Sequence, residues 1–360
     1  MCIRDRYLTE IAWEKGWVKN LSSQNQFKQK VAIIGSGPAG MAASAYLTQN
    51  GYQVDVFEKN DRAGGLMIYG IPNFKLDKKI VERRTEWLLE SGVKFNLNME
   101  VGKNISFQDL EKDYDAILIA TGVYKARKLD IDTSSVDNSI PALDFLIESN
   151  RTGLGDSPSN NKFLSAKNKN VVVIGGGDTA MDCVRTAIRQ QAKEVTCLYR
   201  RNKENMPGSA REVLNAEQEG IKFNWLSVPS KIISDNSTAT SMTYKVAALG
   251  EVDESGRRKP VDTGVEKQIK SDLIIQALGF EPEDLNHNFK TNIELTSWKT
   301  VKVDFKKFQT SNPKIFAAGD IVRGASLVVW AIHDGREVAK SIHNFLPVSY
   351  THLTLPTILP

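Results

Sequence analysis

The stretch 31-VAIIGSGPAGMAAS-44 decides the fold of this chain, and 171-VVVIGGGDTAMD-182 repeats its plan. Each begins with four apolar residues, as a buried parallel strand does, and passes through a glycine-rich turn into a helix. In such a turn the first glycine permits the bend, the second lets the backbone approach a diphosphate, and the third small residue lets helix and strand pack closely. The N–H groups at the helix N-terminus favour the diphosphate anion. We therefore predict two bound dinucleotides, with electrons passing between them.

The first unit continues with residues that suit an adenosine ribose without a 2′-phosphate. Its second strand ends at Glu58, whose carboxylate can accept hydrogen bonds from both ribose hydroxyls, as in FAD or NAD. Gly64-Gly65 follows, and we interpret this pair as a second approach of the backbone to the diphosphate, with an ordinary loop as the alternative. The expected cofactor contacts of this unit are Gly35, Gly37, Pro38, Ala39, Gly40, Glu58, Gly64, Gly65, Leu66, Thr121 and Gly122.

The second unit carries arginines where the first carries Glu58. Its second strand ends in Tyr199-Arg200-Arg201, and two guanidiniums at this position fit the 2′-phosphate of NADPH, because arginine presents fixed, bidentate donors to an anion. The alternative is a solvated strand end. The expected NADPH contacts are Gly175, Gly177, Asp178, Thr179, Arg200, Arg201 and Gly279.

Both units predict an α/β fold of two nested, Rossmann-like, doubly wound domains. Each nucleotide unit ends in an apolar strand followed by Ala-x-Gly, at Ala120–Gly122 and Ala277–Gly279. The later strand 315–318, which runs into Gly319-Asp320, is expected to return the chain to the first domain. The expected boundaries are 31–150 plus 283–346 for an FAD-binding domain and 151–282 for an NADPH-binding domain.

Composition excludes several other classes of protein. The 360 residues are 41% apolar and 25% charged, with a net charge of +4, as in an ordinary globular enzyme of two domains. Basic residues are too dispersed for a nucleic-acid surface, and no apolar run is long enough for a transmembrane helix. Three scattered cysteines do not make a disulfide framework, which favours a cytoplasmic protein. From the charge distribution and the apolar runs, we expect that it binds neither nucleic acid nor membrane.

The two ends do not continue the patterns beside them. Residues 1–6 and 347–360 resemble translated sequencing-adapter read-through, and we exclude them from the fold prediction. Residues 7–30 contain an amphipathic stretch and a polar linker, which we interpret as the remnant of a preceding domain.

Further motifs give the chain a specific resemblance. Tyr69–Lys75 (YGIPNFK), Met206–Val213 (MPGSAREV) and the stretch 317–336, from AAGD to GASLVVWAIHDGR, accompany the two fingerprints. Together they resemble the small (beta) subunits of NADPH-dependent glutamate synthases, over about residues 7–346. More broadly, the chain is similar to the flavin-containing part of dihydropyrimidine dehydrogenase. The resemblance implies the two-domain architecture of the flavoprotein disulfide reductases.

The resemblance also implies further residues and partners. Gly319 and Asp320 would contact FAD, and Ser326 and Leu327 would lie at the start of a helix whose N-terminus faces the flavin. Family members carry an additional N-terminal domain with cysteines for two four-iron four-sulfur clusters, and this chain lacks such ligands. The implied partner is the large (alpha) subunit, which forms glutamate from 2-oxoglutarate and glutamine.

The implied reaction needs no catalytic side chain and no metal site, because the cofactors carry the chemistry. NADPH would deliver hydride to FAD, and electrons would then leave singly. His333 and Asp334 receive no catalytic role, and the missing Cys-x-x-Cys disfavours a thioredoxin reductase. Two alternatives stay open: a subunit that serves a dihydropyrimidine dehydrogenase-like or ferredoxin-linked acceptor, and a non-catalytic module that keeps flavin only as part of its structure.

Overall fold

A computed structural model describes residues 2–252 and 258–346. The chain forms two compact units. Of the described residues, unit 1 contains 2–64, 82–122 and 284–346, and unit 2 contains 65–81, 123–252 and 258–283. Within the described residues no helix is long and apolar enough to cross a membrane.

The strands and helices are named here in chain order. The strands are β1 (Lys30–Ile34), β2 (Gln53–Phe57), β3 (Lys94–Asn96), β4 (Ala116–Ile119), β5 (Lys125–Ala126), β6 (Ser139–Pro141), β7 (Asn170–Ile174), β8 (Glu194–Leu198), β9 (Lys222–Asn224), β10 (Ser227–Asp235), β11 (Thr238–Val252), β12 (Arg258–Lys270), β13 (Leu273–Gln276), β14 (Phe280–Glu281) and β15 (Ile315–Ala317). The α-helices are α1 (Cys2–Glu14), α2 (Pro38–Gln49), α3 (Leu66–Tyr69), α4 (Lys78–Glu90), α5 (Phe107–Asp113), α6 (Ala142–Gly153), α7 (Asp178–Arg189), α8 (Ala210–Gln218), α9 (Leu285–Phe289), α10 (Asp320–Arg323) and α11 (Val328–Phe345), and short 3₁₀ helices span Lys162–Leu164 and Lys203–Asn205.

Unit 1 is built on a parallel sheet of strand order β15-β4-β1-β2-β3. The central strand β1 is apolar because helices and loops cover both faces of the sheet, and Val31 pairs with Val54 on one side and Ala116 on the other. One face packs on α5 and α9, where Phe107 and Phe289 stack with ring centroids 5.3 Å apart. This strand order confirms the predicted doubly wound fold.

Unit 2 repeats the plan with a second parallel sheet, in the order β6-β13-β7-β8-β9. Its central strand β7 pairs with β8 and β13, as β1 pairs with β2 and β4 in unit 1. Helices α6 and α7 pack on one face, and the antiparallel sheet β10-β11-β12 places Met242 and Tyr244 in an apolar cluster with Val172 and Ile174. Two copies of one architecture therefore position two equivalent glycine-rich turns.

The units differ from the domain boundaries expected from sequence. Residues 65–81 and 123–150 were expected in the first domain, and by their contacts they belong to unit 2. Helix α1 includes residues 2–6, which the sequence prediction had set aside as adapter read-through. The matching interpretation of residues 347–360 lies outside the described residues.

Candidate nucleotide sites

The first glycine-rich turn, in unit 1, contains two glycines that the protein's own packing requires. Gly35 has φ +101°, and a Cβ there would lie 2.5 Å from the Ala120 carbonyl oxygen. A Cβ on Gly40 would lie 2.0 Å from the carbonyl oxygen of Gly35. The first position therefore allows the turn to cross β4, and the third allows α2 to approach the turn, as the fingerprint predicts.

Gly37 has no such internal reason to be glycine. Its φ is −64°, which any residue adopts, and among the described residues no atom lies within 4 Å of the Cβ that an alanine would add. It occupies the N-cap of α2 without a side-chain cap, at a position where Ser, Thr, Asp or Asn would satisfy a free N–H. The space beside Gly37 and the N–H groups of the first helical turn are thus both left open.

Glu58 is held rigidly at the end of β2. It is 4% exposed, and its Oε2 accepts hydrogen bonds from the Ser36 backbone N–H at 3.1 Å and from the Ser36 hydroxyl at 2.5 Å. Its Oε1 accepts from the backbone and side-chain nitrogens of Asn60 at 2.9 and 2.8 Å. The Ser36 hydroxyl also accepts from the Gly64 N–H at 3.0 Å. Sequence reasoning selected Glu58 and Gly64 and missed Ser36 and Asn60, which connect them.

The remaining candidates of unit 1 are turn residues. Gly64 and Gly65 adopt φ +124° and +55°, and Leu66, on the unit 2 side of the boundary, opens α3. Gly122 adopts φ +70° just after β4. The Thr121 hydroxyl beside it is buried and has no hydrogen-bond partner among the described residues. A buried hydroxyl normally has a partner, so Thr121 stays a candidate ligand contact at the end of β4.

Gly319 and Asp320 form the turn after β15. Gly319 has φ +78°, and its added Cβ would lie 3.0 Å from the Cβ of Ala39, so this turn packs directly on the first fingerprint. The Asp320 carboxylate accepts a hydrogen bond from the Ser326 hydroxyl at 2.6 Å, and burial raises the pKa of Asp320. Leu327 is the N-cap of α11, which begins at Val328, two residues after the start expected from sequence.

The second glycine-rich turn, in unit 2, reproduces the first. Gly175 has φ +146°, and a Cβ there would lie 2.1 Å from the Ala277 carbonyl oxygen, the counterpart of Ala120 in unit 1. Gly177 has φ −89°, caps α7 without a side chain, and would place its Cβ in open space among the described residues. Gly279 adopts φ +91° after β13. In both turns, packing within the chain requires the first glycine, whereas the space beside the middle glycine is open.

The loop before α8 closes against the second turn, which sequence reasoning did not foresee. The Gly208 N–H donates to the Gly176 carbonyl at 2.9 Å, and the Ser209 N–H donates to Asp178 Oδ1 at 2.9 Å. A Cβ on Gly176 would lie 2.3 Å from the Tyr199 ring. The MPGSAREV motif therefore holds the glycine-rich turn in place, and Asp178 is one of its anchors. Thr179 lies in the first turn of α7.

The two arginines after β8 lie in different environments. Arg200 is exposed. Arg201 is only 6% exposed, and its Nε donates to the backbone carbonyl of Arg258 at 2.9 Å. The sequence prediction gave both guanidiniums the same role, whereas the structure commits the Nε of Arg201 to the start of β12.

A charged cluster in unit 2 was also missed from sequence. The Lys75 ammonium lies 2.6 Å from Asp182 Oδ1 and 2.8 Å from Glu212 Oε2. Burial raises the pKa of Asp182 to about 6, against the opposing effect of Lys75. Arg185 Nη1 contacts the same Glu212 Oε2 at 2.7 Å, so this oxygen is shared between Lys75 and Arg185. Through Lys75, this cluster attaches the segment 65–81 to α7, which carries Asp182, and to α8, which carries Glu212.

The two described cysteines behave as core residues. Cys183 and Cys197 are both 0% exposed, and burial raises the pKa of the Cys197 thiol to about 12. A thiol with so high a pKa is a poor nucleophile. In the part of the chain that the structure describes, no group of three or more His, Cys, Asp or Glu residues could hold a metal ion.

Comparison with solved structures supports the fold. FprA from Mycobacterium tuberculosis superposes with a TM-score of 0.73 at 19% identity, covering 88% of this chain and 84% of that chain. Thioredoxin reductase from Lactococcus lactis superposes with a TM-score of 0.65 at 24% identity, covering 88% and 99%.

Sequence comparison gives the family. Residues 29–335 match the pyridine nucleotide-disulphide oxidoreductase family. The glutamate synthase [NADPH] small chain of Azospirillum brasilense is 48% identical over 345 residues, 95% of this chain and 71% of that protein. Its Escherichia coli K12 counterpart is 43% identical over 96% of this chain and 74% of that protein, and the putative oxidoreductase AegA of the same strain is 41% identical over 96% and 53%. The chain therefore belongs to the pyridine nucleotide-disulphide oxidoreductases and, within them, to the family of the glutamate synthase small chains.

Proposed function

We propose that this protein oxidises NADPH bound to unit 2, passes the electrons to FAD bound to unit 1, and acts as the small subunit of a glutamate synthase. Its large-subunit partner would use the electrons to form glutamate from 2-oxoglutarate and glutamine. The names of the relatives support the coenzyme and the subunit role. The assignment of each cofactor to its unit rests on the residues that follow the second strand of each unit, Glu58 after β2 and Arg200 after β8.

One observation carries this proposal: the open space beside the middle glycine of each fingerprint. Neither Gly37 nor Gly177 needs glycine for its backbone conformation or for packing within the described chain. Both cap helices of twelve residues whose first N–H groups receive no side-chain cap. A diphosphate seated there would accept those N–H groups and would exclude any Cβ.

The residues of unit 1 fit FAD. The unpartnered Thr121 hydroxyl and the half-buried Asp320 carboxylate would supply polar contacts, and Glu58 at the end of β2 suits a ribose without a 2′-phosphate. Hydrogen bonds from Ser36 and Asn60 fix the orientation of Glu58 before any ligand arrives. When bound, FAD supplies the chemistry of accepting hydride from NADPH and releasing electrons one at a time. The protein's part is to hold the cofactor and exclude water.

The residues of unit 2 fit NADPH. The exposed Arg200 is the principal candidate for the 2′-phosphate, because the Nε of Arg201 is committed to the Arg258 carbonyl. Arg201 then supports the strand end from which Arg200 projects.

The exit of electrons requires groups beyond this sequence. Iron–sulfur centres of the four-iron type need four cysteine ligands each, and the sequence contains three cysteines, two of them buried in the core of unit 2. We propose that such centres and the large subunit receive the electrons. Because the chain is also similar to AegA, a second candidate function is that of an NADPH-oxidising subunit that serves a different electron acceptor.

Absorption spectroscopy tests the redox activity. The flavin-reconstituted protein should bleach at about 450 nm, where oxidised flavins absorb, when NADPH is added, and should recover when an artificial acceptor then oxidises the reduced flavin. Arg200→Met should weaken NADPH binding about tenfold or more while leaving NADH binding unchanged, since only NADPH has the phosphate. A protein that binds flavin but whose flavin NADPH does not bleach would be the non-catalytic module that keeps flavin only as part of its structure.

Substitution at Gly37 tests the carrying observation. Gly37→Ala should leave the melting temperature of the apoprotein unchanged, because the added methyl has open space, and should abolish FAD binding. Normal FAD binding by this variant would contradict the site. Co-purification with a glutaminase-bearing large chain separates the glutamate synthase from the alternative acceptor.

A further inference from the structure

Arg323 and Asp334 form an ion pair in unit 1 to which the proposed function gives no role. Arg323 donates from Nε to Asp334 Oδ2 at 2.5 Å and from Nη2 to Oδ1 at 2.8 Å. Asp334 is 0% exposed, whereas the Arg323 side chain is 33% exposed. A fully buried carboxylate is costly unless a cation and hydrogen bonds compensate it, so this arrangement needs an explanation.

The pair closes the turn that carries Asp320. Arg323 ends α10, Gly324 follows with φ +79°, and Asp334 lies two turns into α11. Within the turn, the Ser326 hydroxyl donates to Asp320 at 2.6 Å. The ion pair therefore joins residue 323 to residue 334, and the Ser326 hydroxyl joins the loop between them to Asp320.

The same segment is packed against the first fingerprint. A Cβ on Gly335 would lie 2.2 Å from the Ala39 carbonyl oxygen, and one on Gly319 would lie 3.0 Å from the Ala39 Cβ. Ala39 thus lies between the residue next to Asp334 and the residue next to Asp320. Neither end of the segment can shift without displacing α2 at its first turn.

We propose that Arg323 and Asp334 are positioning residues for the flavin, which hold Asp320 and the N-terminus of α11 in their binding geometry before the cofactor arrives. This inference rests on the proposed binding of FAD to unit 1. It assigns the pair to preorganisation, which raises affinity by reducing the ordering that binding requires. It also gives the pair an electrostatic role, because each charge cancels the other close to the flavin turn.

Substitutions that neutralise one charge of the pair at a time distinguish a role in positioning the flavin from a contribution to stability alone. Arg323→Gln removes the guanidinium and leaves His333 Nδ1, 3.3 Å from Asp334 Oδ1, beside the carboxylate. This variant should lower the flavin midpoint potential, since a nearby anion disfavours reduced, anionic flavin. Asp334→Asn leaves the Arg323 guanidinium uncompensated and should raise that potential. Both should raise the Kd of the apoprotein for FAD about tenfold or more, measured by flavin fluorescence. The double variant should return the potential toward that of the wild type.

Glu337→Gln is the matched control, because Glu337 pairs with Lys340 at 2.7 Å on the exposed side of the same helix. It should change neither Kd nor potential. Melting temperatures of the apoproteins show whether the variants fold. If the neutralised variants do not, Arg323→Lys keeps the charge and should raise the Kd severalfold at an unchanged potential.

Unchanged Kd values, or potentials that move in the same direction in both single variants, would overturn the inference. A wild-type apoprotein that fails to bind FAD would instead overturn the proposed function, so the two failures are distinguishable.

Discussion

Replacing Asp182 with asparagine should change the way stability depends on pH. Asp182 lies on α7 with its side chain 14% exposed, next to the Lys75 ammonium. Burial raises its pKa from 3.8 to about 6, so desolvation outweighs the attraction of Lys75. The asparagine keeps the size of the side chain and removes its titration.

The sign follows from proton binding. Because the pKa of Asp182 is higher in the folded protein than in the unfolded chain, the folded protein binds more protons between the two values. The wild type therefore loses stability relative to Asp182→Asn as the pH rises through this range. A rise from 3.8 to about 6 corresponds to at most about 3 kcal/mol in the free energy of unfolding.

Urea unfolding of both proteins at several values between about pH 2 and about pH 7 measures this difference. Asp262→Asn is a control of opposite sign, because its hydrogen bond with Lys245 lowers the pKa of the exposed Asp262. The wild type should gain stability relative to that variant as the pH rises through the range in which Asp262 ionises. A difference for Asp182→Asn that stays constant, or that favours the wild type at higher pH, would show that the Lys75 ion pair outweighs burial and would refute the reasoning.

Other substitutions test the packing of both units. Gly40→Ala places a methyl group 2.0 Å from the Gly35 carbonyl oxygen, so it should cost about 1–3 kcal/mol of stability and lower the flavin content of the purified protein; an unchanged melting temperature would contradict this. Phe74→Leu removes a ring whose centroid lies 3.8 Å from the Arg189 guanidinium carbon, and urea unfolding should show a loss of about 1 kcal/mol. Arg201→Met should lower the melting temperature and change the Kd for NADPH little, because the arginine is buried and bound to the Arg258 carbonyl. A raised Kd at an unchanged melting temperature would instead place Arg201 in the phosphate site.

The sequence predicted the features that arise from local chemistry. Apolar strands, glycine-rich turns and the following helices lie within a few residues of one another, so β1 and β7 could be located to within one residue, each followed by a helix. The repeated Ala-x-Gly also had a readable cause, because Ala120 and Ala277 each present a carbonyl to the first glycine of a turn.

The contacts missed from sequence join residues that are distant along the chain. Ser36 and Glu58 are 22 residues apart, and nothing in the letters between them indicates a 2.5 Å hydrogen bond. Arg201 is 57 residues from the carbonyl that it contacts, so its burial depends on how β12 pairs with β11. Adjacent arginines look equivalent in a sequence because neighbouring positions are distinguished only by the fold around them.

The motif at residues 69–75 shows how a structural role can look like a functional one. Lys78, which follows it, is 5% exposed and donates its ammonium protons to the carbonyls of Met67 and Ile71, and burial lowers its pKa to about 8. The Asn150 amide donates to the Tyr69 carbonyl at 2.8 Å, and Lys75 binds Asp182 on α7. Polar side chains thus satisfy the carbonyls of a segment too short to do so through its own secondary structure. These polar groups are therefore accounted for by contacts within unit 2.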